Sequence, residues 1–404
     1  MSGDAPGRVD PFAPARLGPI TLRNHVIKSA TFEGVMPDAL VTAELIDYHR
    51  RVAAGGVGMN TVAYVAVAPD GRTNRACLYM RDEAIPGLRK LTEAIHAEGA
   101  KASAQIGHAG PVADSKSNGV VGFTASRRFN PLSMRFTPAA TEADLERVID
   151  DFRRTALGCE EAGFDALEVH LGHNYLLSAF LSPALNDRTD RWGGTLENRA
   201  RLSREVLKAV REAVGGRLAI TAKLNMIDAI PKGIEIEESL AVAKMIESDG
   251  TLDGIVLTGG SSFGNPMFLF RGDAPRSEFG AALSPLLRFG FKLVGRKFMP
   301  DTPFEEAYFE EHARRFKDAL DLPVILLGGI NNRATIEKAL EDGFGFVQMG
   351  RALLREPDLL LKMQRGEQSE GICIHCNRCM PSIYSGTRCL LINPDPIEAG
   401  PPVA

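Results

Sequence analysis

The 404-residue sequence lacks the features of a membrane protein, a nucleic-acid-binding protein or a disulfide-bonded scaffold. No apolar run approaches the roughly 18 residues that suggest a membrane-spanning helix, and no apolar signal segment opens the chain. Lys and Arg number 47 and Asp and Glu 51, so the formal charge of −4 gives little electrostatic reason to bind nucleic acid. Six cysteines are too few for a disulfide framework at this length. We therefore expect a cytoplasmic globular protein.

Short apolar segments rich in β-branched residues alternate along the chain with longer amphipathic segments. Eight strands are predicted, at residues 26–31, 58–63, 102–106, 166–171, 218–224, 254–257, 324–327 and 346–349. The helical segments between them cover residues 42–54, 87–98, 142–162, 196–214, 237–248, 305–320 and 333–341. Eight alternations predict an α/β fold, a (β/α)₈ TIM barrel over residues 1–363. An open doubly wound sheet would need a G-x-G-x-x-G turn after an early strand, and the sequence has none there.

Two segments exceed the needs of a simple barrel. Residues 261–303 form a long insertion after the sixth strand, with aromatic and basic residues that suggest a lid or binding loop, or else a small packed subdomain. Residues 364–404 form a Cys-rich C-terminal extension, expected to pack on the barrel and to end in a loose, Pro-rich tail.

Polar residues on predicted inward strand faces indicate a functional site, because barrel interiors are normally apolar. Gln105 lies on the third strand, Glu168 and His170 on the fourth, and Lys223 on the fifth. An ion pair between Glu168 and Lys223 would be a purely structural alternative. Convergence of three polar strands favours a site at the C-terminal end of the barrel.

His170, His173 and Tyr175 place two imidazoles and a phenol within six residues. Two histidines three residues apart can bind a metal, although no nearby carboxylate completes an obvious ligand set. A hydrogen-bonding imidazole pair beside a phenolic proton donor is an equally good interpretation.

Two glycine motifs at the ends of the last strands suggest a phosphorylated ligand. Gly328 and Gly329 follow the seventh strand, and Gly350 and Arg351 follow the eighth. The loops after these two barrel strands often bind phosphate, because glycines expose backbone N–H groups and an arginine adds a bidentate donor.

Ordered motifs over most of the chain resemble the old yellow enzyme family of FMN-dependent NAD(P)H oxidoreductases. The matching residues are Leu22-Arg23-Asn24-His25, Lys28-Ser29-Ala30-Thr31, Gln105, His108-Ala109-Gly110, Phe164-Asp165, His170, His173, Tyr175, Phe180-Leu181-Ser182-Pro183, Asn186-Asp187-Arg188-Thr189-Asp190, Trp192-Gly193-Gly194, Glu197-Asn198-Arg199, Gly328-Gly329 and Gly350-Arg351.

The resemblance implies a barrel with one FMN at its C-terminal mouth and NAD(P)H as electron donor. The implied flavin-binding residues are Ser29, Ala30, Thr31, Gln105 and Lys223, with the phosphate on Gly328, Gly329, Gly350 and Arg351. His170 and His173 would bind the carbonyl oxygen of an activated alkene, and Tyr175 would donate the proton. The sequence departs from the family at Lys223, where arginine is usual, and also at Asn174 and Tyr64.

Four of the six cysteines cluster near the C-terminus as C-x₂-C-x₂-C-x₉-C, at Cys373, Cys376, Cys379 and Cys389. The pattern resembles the cluster-binding segment of the branch containing trimethylamine dehydrogenase and 2,4-dienoyl-CoA reductase, with a shorter last gap. A [4Fe–4S] cluster, Zn²⁺ and metal-free thiols stay as alternatives. Cys77 and Cys159 are predicted to be buried packing residues.

The leading hypothesis is reduction of an enone, enal or related alkene. An alternative within the resemblance is amine dehydrogenation, with electrons leaving through the cluster to a partner protein. From other classes, Lys223 could be the Schiff-base lysine of a phosphosugar lyase, or the cysteine segment a zinc-bound docking module. The expected partner is a small-molecule substrate, and the sequence is also compatible with a homo-oligomer.

Overall fold

A closed barrel of eight parallel strands forms the core of the protein. The computed structural model describes residues 9–403 except Leu132, Phe263 and Ser284, and omits the side chain of Leu286. The barrel strands are β1 (Val26–Lys28), β2 (Met59–Ala66), β3 (Lys101–Gly107), β4 (Ala166–Leu171), β5 (Ala219–Asn225), β6 (Gly254–Thr258), β7 (Val324–Leu327) and β8 (Phe346–Met349). Consecutive strands are neighbours throughout and β8 pairs with β1, so the predicted TIM-barrel fold is confirmed.

Short antiparallel pairs and helices surround the barrel. The pairs are Ala15–Leu17 with Ile20–Leu22, and Arg128–Asn130 with Arg135–Thr137. The helices are α1 (Ala43–Ala54), α2 (Ile85–Ala97), α3 (Ser115–Asn118), α4 (Glu142–Glu161), α5 (Leu176–Leu181), α6 (Leu196–Val214), α7 (Ile236–Ser248), α8 (Pro266–Leu269), α9 (Arg276–Ala282), α10 (Pro285–Phe298), α11 (Glu310–Lys317), α12 (Arg333–Glu341), α13 (Arg351–Arg355) and α14 (Leu359–Arg365). No described helix combines the length and apolar character needed to cross a bilayer.

Helix α4 illustrates how local sequence builds the outer layer. Thr141 and Asp144 form a capping box, in which each side chain accepts a hydrogen bond from the backbone N–H of the other residue. A cap of this kind contributes about 1 kcal/mol. The buried side chains recur at helical spacing along one face: Leu145, Val148, Phe152, Ala156 and Cys159. This apolar stripe packs into the core around the barrel.

Two predicted elements are shorter than expected, each for a local reason. Strand β1 ends at Lys28, where Ser29 N–H still donates to Met349 O (2.8 Å) before the chain turns across the C-terminal mouth of the barrel. Helix α11 begins at Glu310, because Ala307 adopts the left-handed conformation (φ 51°) and interrupts the predicted helix.

Both additions to the barrel are more ordered than the sequence indicated. The described residues of the insertion at 261–303 include three helices, α8, α9 and α10, where the sequence suggested either a lid or binding loop or a small packed subdomain. The predicted loose tail instead returns to the barrel, where Val403 N–H donates to Val41 O (2.9 Å). The tail is anchored because Ile397, Ala399 and Val403 pack against the core.

Candidate active site

The catalytic candidates meet at the C-terminal end of β4, with His170 in the strand and His173 and Tyr175 just beyond it. The ring centroids of His170 and His173 are 5.1 Å apart, and those of His170 and Tyr175 are 4.6 Å apart. Tyr64, at the C-terminal end of β2, packs edge-on against Tyr175 with centroids 5.8 Å apart. The structure therefore gathers two imidazoles and two phenols at the C-terminal mouth of the barrel, where barrel enzymes carry their active sites.

Residues at the ends of neighbouring strands fix the orientation of His173. Its backbone adopts the left-handed conformation (φ 58°), as does that of Asn174 (φ 59°). The Asn225 Oδ1 atom at the end of β5 accepts a hydrogen bond from His173 N–H (2.9 Å). The Thr258 hydroxyl at the end of β6 pairs with His173 Nε2 (2.9 Å). Thr258 was not among the site residues predicted from the sequence, although a polar residue at the C-terminal end of a barrel strand is the signal that could have found it.

Both imidazoles are neutral near pH 7. Burial, followed by the repulsion that protonated His173 and Lys223 would exert, holds the pKa of His170 well below its ordinary value. Burial, followed by the charge of Lys223, lowers the pKa of His173 to about 3. Within the described part of the chain, the buried His170 Nδ1 atom has no hydrogen-bond partner. Because an unpaired buried polar atom is costly, this nitrogen suits a polar ligand atom.

The low pKa of His173 should make the free energy of unfolding depend on pH. Below about pH 6.5 the unfolded chain protonates this imidazole while the folded protein does not. The contribution of His173 to the free energy of unfolding is therefore greatest above that pH, and it decreases as the pH falls toward 3. We expect His173→Asn to flatten the pH dependence of the unfolding free energy between pH 6.5 and 4, by up to about 1.4 kcal/mol per pH unit. Urea titrations across this range would measure it, and parallel slopes for the two proteins would reject the assignment.

A buried carboxylate organises the floor of the mouth. Glu168 on β4 is 1% exposed and receives three donors: Lys223 Nζ at 2.8 Å, Gln105 Nε2 at 2.7 Å and Gln348 Nε2 at 2.7 Å. The ion pair between Glu168 and Lys223, which was the structural alternative in the sequence, therefore forms. Lys223 Nζ also lies 3.4 Å from Ser29 Oγ, which places its charge beside the loop after β1.

A second buried charge cluster supports that loop. Lys28 Nζ lies 3.4 Å from Glu33 Oε1 and donates to Thr61 O (3.1 Å). The same carboxylate oxygen lies 3.1 Å from His49 Nε2. These contacts hold both ends of the segment containing Ser29, Ala30 and Thr31. This cluster was not predicted from the sequence, although a lysine beside the apolar β1 residues was a visible signal.

The two predicted phosphate motifs directly follow β7 and β8, which are neighbouring strands hydrogen-bonded to each other. Gly328 and Gly329 have positive φ (112° and 76°). A Cβ atom on Gly329 would lie 2.6 Å from the Tyr308 ring, so both conformation and space require glycine there. Arg351 follows Gly350, and its Nη1 donates to Arg271 O (2.8 Å) and to Asn377 Oδ1.

The four C-terminal cysteines converge on one small pocket, which Arg351 and Asn377 also line. All four are unpaired thiols and partly buried. Burial raises the pKa of Cys379 to about 12. Four thiol sulfurs are the donor type that Zn²⁺ and iron–sulfur clusters use. Among the described residues, however, no three Cys, His, Asp or Glu side chains are arranged to hold a metal ion. Cys77 and Cys159 are fully buried, as predicted.

An eight-stranded parallel barrel with its polar side chains gathered at the strand ends defines a TIM-barrel enzyme. A sequence profile described as the NADH:flavin oxidoreductase / NADH oxidase family matches residues 10–256. The chain belongs to this family, which confirms the resemblance to old yellow enzyme. It is an NAD(P)H-dependent FMN oxidoreductase.

The relatives differ in length and in the substrates in their names. The 4,4'-dithiodibutanoate disulfide reductase of Rhodococcus erythropolis is 54% identical over 380 residues, or 94% of each chain. A metal reductase of Desulforamulus reducens is 31% identical, and the match covers 92% of this chain but 52% of that one. Among solved structures, morphinone reductase aligns with a TM-score of 0.69 at 21% identity over 93% of both chains. At this identity the structural likeness establishes the fold alone.

Proposed function

We propose that this chain transfers hydride from NAD(P)H, through FMN, to an activated alkene bound against His170, His173 and Tyr175. The observation that carries the proposal is the arrangement of two neutral imidazoles beside a protonated phenol, with His170 Nδ1 unpaired among the described residues. Neutral imidazoles donate hydrogen bonds without carrying a buried charge.

The residues at the mouth suit FMN, which has a ring with polar edge atoms and a phosphate group. Ser29, Ala30, Thr31, Gln105 and Lys223 would line the flavin ring, and Gly328, Gly329, Gly350 and Arg351 would hold the phosphate. The buried charge of Lys223 and the glycine-lined turns beside Arg351 support this placement. When bound, FMN supplies the hydride equivalent taken from NAD(P)H.

The side chains of this chain have separate tasks in the reaction. His170 and His173 hydrogen-bond the carbonyl oxygen of the alkene, so that electron density leaves the β-carbon that accepts the hydride. Tyr175 holds a proton at Oη for the α-carbon. Burial, followed by the nearby Cys77, raises the pKa of Tyr175 above its ordinary value, which keeps the phenol protonated at neutral pH.

A dialkyl disulfide is a second candidate substrate, because the 54% identical relative is named as a disulfide reductase. Reduction of R–S–S–R breaks the S–S bond with one hydride and one proton. One sulfur takes the hydride and becomes a thiol, while the other leaves as a thiolate and takes the proton of Tyr175. This route uses the same site and the same two electrons from NAD(P)H.

The structure argues against a covalent enzyme–substrate disulfide at Cys77. This thiol packs beside Tyr64 and Tyr175, is fully buried, and has a pKa that burial raises to about 12. Thiolate is the attacking species in disulfide exchange, so Cys77 is a poor nucleophile. We expect Cys77→Ala to retain disulfide turnover, with Cys159→Ala as the control for loss of a buried thiol. Loss of turnover in Cys77→Ala alone, or substrate attached to Cys77 in a quenched sample, would contradict this.

The substrate class can be chosen by one parallel assay. Protein that has been reduced anaerobically with NAD(P)H is mixed with 2-cyclohexenone or with 4,4'-dithiodibutanoate, and oxidised protein is mixed separately with a tertiary amine. Reoxidation of the flavin by the enone supports the first proposal, and reoxidation by the disulfide alone supports the second. If neither reoxidises the reduced protein, while the amine reduces the oxidised protein, the amine dehydrogenase alternative is favoured.

For the cysteine segment we propose a [4Fe–4S] cluster on Cys373, Cys376, Cys379 and Cys389. The convergence of the four thiols on one pocket supports this, as does their spacing. Iron, sulfide and zinc assays on anaerobically purified protein test it. About four irons and four sulfides per chain are expected, whereas zinc alone or no metal would replace the proposal by one of the two alternatives.

A further inference from the structure

Asn377 joins the cysteine segment by hydrogen bonds to the insertion after β6 and to Arg351 after β8. It lies between Cys376 and Cys379, is 1% exposed and has a left-handed backbone (φ 54°). Its side-chain Nδ2 donates to Phe270 O (2.6 Å) and Asp273 O (3.0 Å), and its Oδ1 accepts a hydrogen bond from Arg351 Nη1. Both N–H groups and the oxygen of the amide are therefore engaged.

These contacts join three separate parts of the chain. Phe270 and Asp273 belong to the insertion after β6, Asn377 to the cysteine segment, and Arg351 to the turn after β8. Arg351 Nη1 donates to a second acceptor in the insertion, Arg271 O (2.8 Å). Two acceptors on a single nitrogen fix one corner of the guanidinium, and neither of these bonds uses Nε or Nη2.

The backbone of the same two segments fits closely around Asn377. Asp273 N–H donates to His375 O (3.1 Å), and a Cβ atom on Gly272 would lie 2.1 Å from that oxygen. The His375 ring stacks on Phe304 with centroids 3.4 Å apart and an angle of 6° between the planes. The position of Asn377 is thus set by packing against the insertion.

We propose that Asn377 is a positioning residue for the phosphate of FMN, acting through Arg351, so that the cysteine segment forms part of the flavin site. The inference rests on the proposed placement of the phosphate at Arg351. A free arginine side chain loses considerable rotamer entropy when it is ordered around a ligand. Because Asn377 and Arg271 O hold the guanidinium in advance, less of this entropy is lost on binding.

The test compares two flavins that differ only in the phosphate. Full-length protein is stripped of flavin and titrated with FMN or riboflavin, and binding is followed by flavin fluorescence. The wild type is expected to prefer FMN. Asn377→Ala should weaken FMN binding about tenfold or more, as for loss of a hydrogen bond to a charged group, while riboflavin affinity stays unchanged. Asn393→Ala, an exposed asparagine of the same segment, is the matched control and should leave both affinities unchanged.

A double-mutant cycle separates the possible failures. In an Arg351→Ala background, Asn377→Ala should cause no further loss of FMN preference. An unchanged preference in Asn377→Ala, or an equal loss of both flavins, would overturn the inference. The proposed phosphate site itself would be overturned if the wild type did not prefer FMN to riboflavin. It would also be overturned if Arg351→Ala kept the preference for FMN. Asn377→Ser provides a second variant under the same criteria if Asn377→Ala is insoluble.

Discussion

Tyr175→Phe should slow reoxidation of the reduced protein by an enone by about 10²- to 10⁴-fold, the usual contribution of a positioned general acid. Flavin reduction by NAD(P)H should continue at the wild-type rate, because that step needs no proton from this phenol. The ring stays in place in the variant, since its contacts with His170 and Tyr64 are made by its face and edge. Stopped-flow absorbance at the flavin band measures the two half-reactions separately.

Tyr64→Phe is the matched control. The Tyr64 ring packs against the Tyr175 ring, and the Tyr64 hydroxyl already donates to Gly71 O. We expect this substitution to affect reoxidation far less than Tyr175→Phe does. If Tyr175→Phe slows both half-reactions equally, the residue shapes the site and does not donate the proton. If Tyr64→Phe has the larger effect on reoxidation, the donor is assigned to the wrong phenol.

Lys223→Met should affect both stability and flavin reduction. It leaves Glu168 buried with two amide donors and without the ammonium that lies 2.8 Å from its carboxylate. Breaking a buried ion pair in this way costs about 3–5 kcal/mol of unfolding free energy. Because the proposed function places this charge beside the reduced flavin, its removal should also slow reduction by NAD(P)H by about 10²- to 10³-fold.

Lys223→Arg keeps the charge and has the residue that is usual in the family, so it is the natural control. It should remain close to the wild type in flavin reduction rate and stability. Urea denaturation and stopped-flow reduction provide the two measurements. A Lys223→Met protein that is destabilised but reduced at the wild-type rate would leave this lysine with a structural role alone.

The strands were the part of the fold that local sequence predicted best. The bounds of β4, β7 and β8 coincide with the predicted segments, because each is a short segment rich in apolar residues that a glycine follows directly (Gly172, Gly328 and Gly350). Boundaries failed where backbone conformation departed from the local pattern. The left-handed Ala307 shortens α11, and the turn after Lys28 shortens β1.

Candidate residues that lie close together in the sequence were predicted. Several residues that contact the site from distant parts of the chain were missed. His170, His173 and Tyr175 lie within six residues, so their proximity was visible in the sequence. The donor from Gln348 to Glu168 joins residues 180 positions apart. Thr258 and Asn377 likewise act on residues of other strands or segments, at His173 and Arg351. The alternation along the strands suggested one distant pair, Glu168 with Lys223, but it did not identify these others, which the folded structure brings together.

The most direct test of the account is the visible spectrum of anaerobically purified protein before and after addition of NADH or NADPH. The account predicts an FMN spectrum that either nucleotide, or one of them, bleaches within the time of mixing. Protein without bound FMN, or bound FMN that neither nucleotide reduces, would contradict the central claim that this barrel is an NAD(P)H-dependent FMN oxidoreductase.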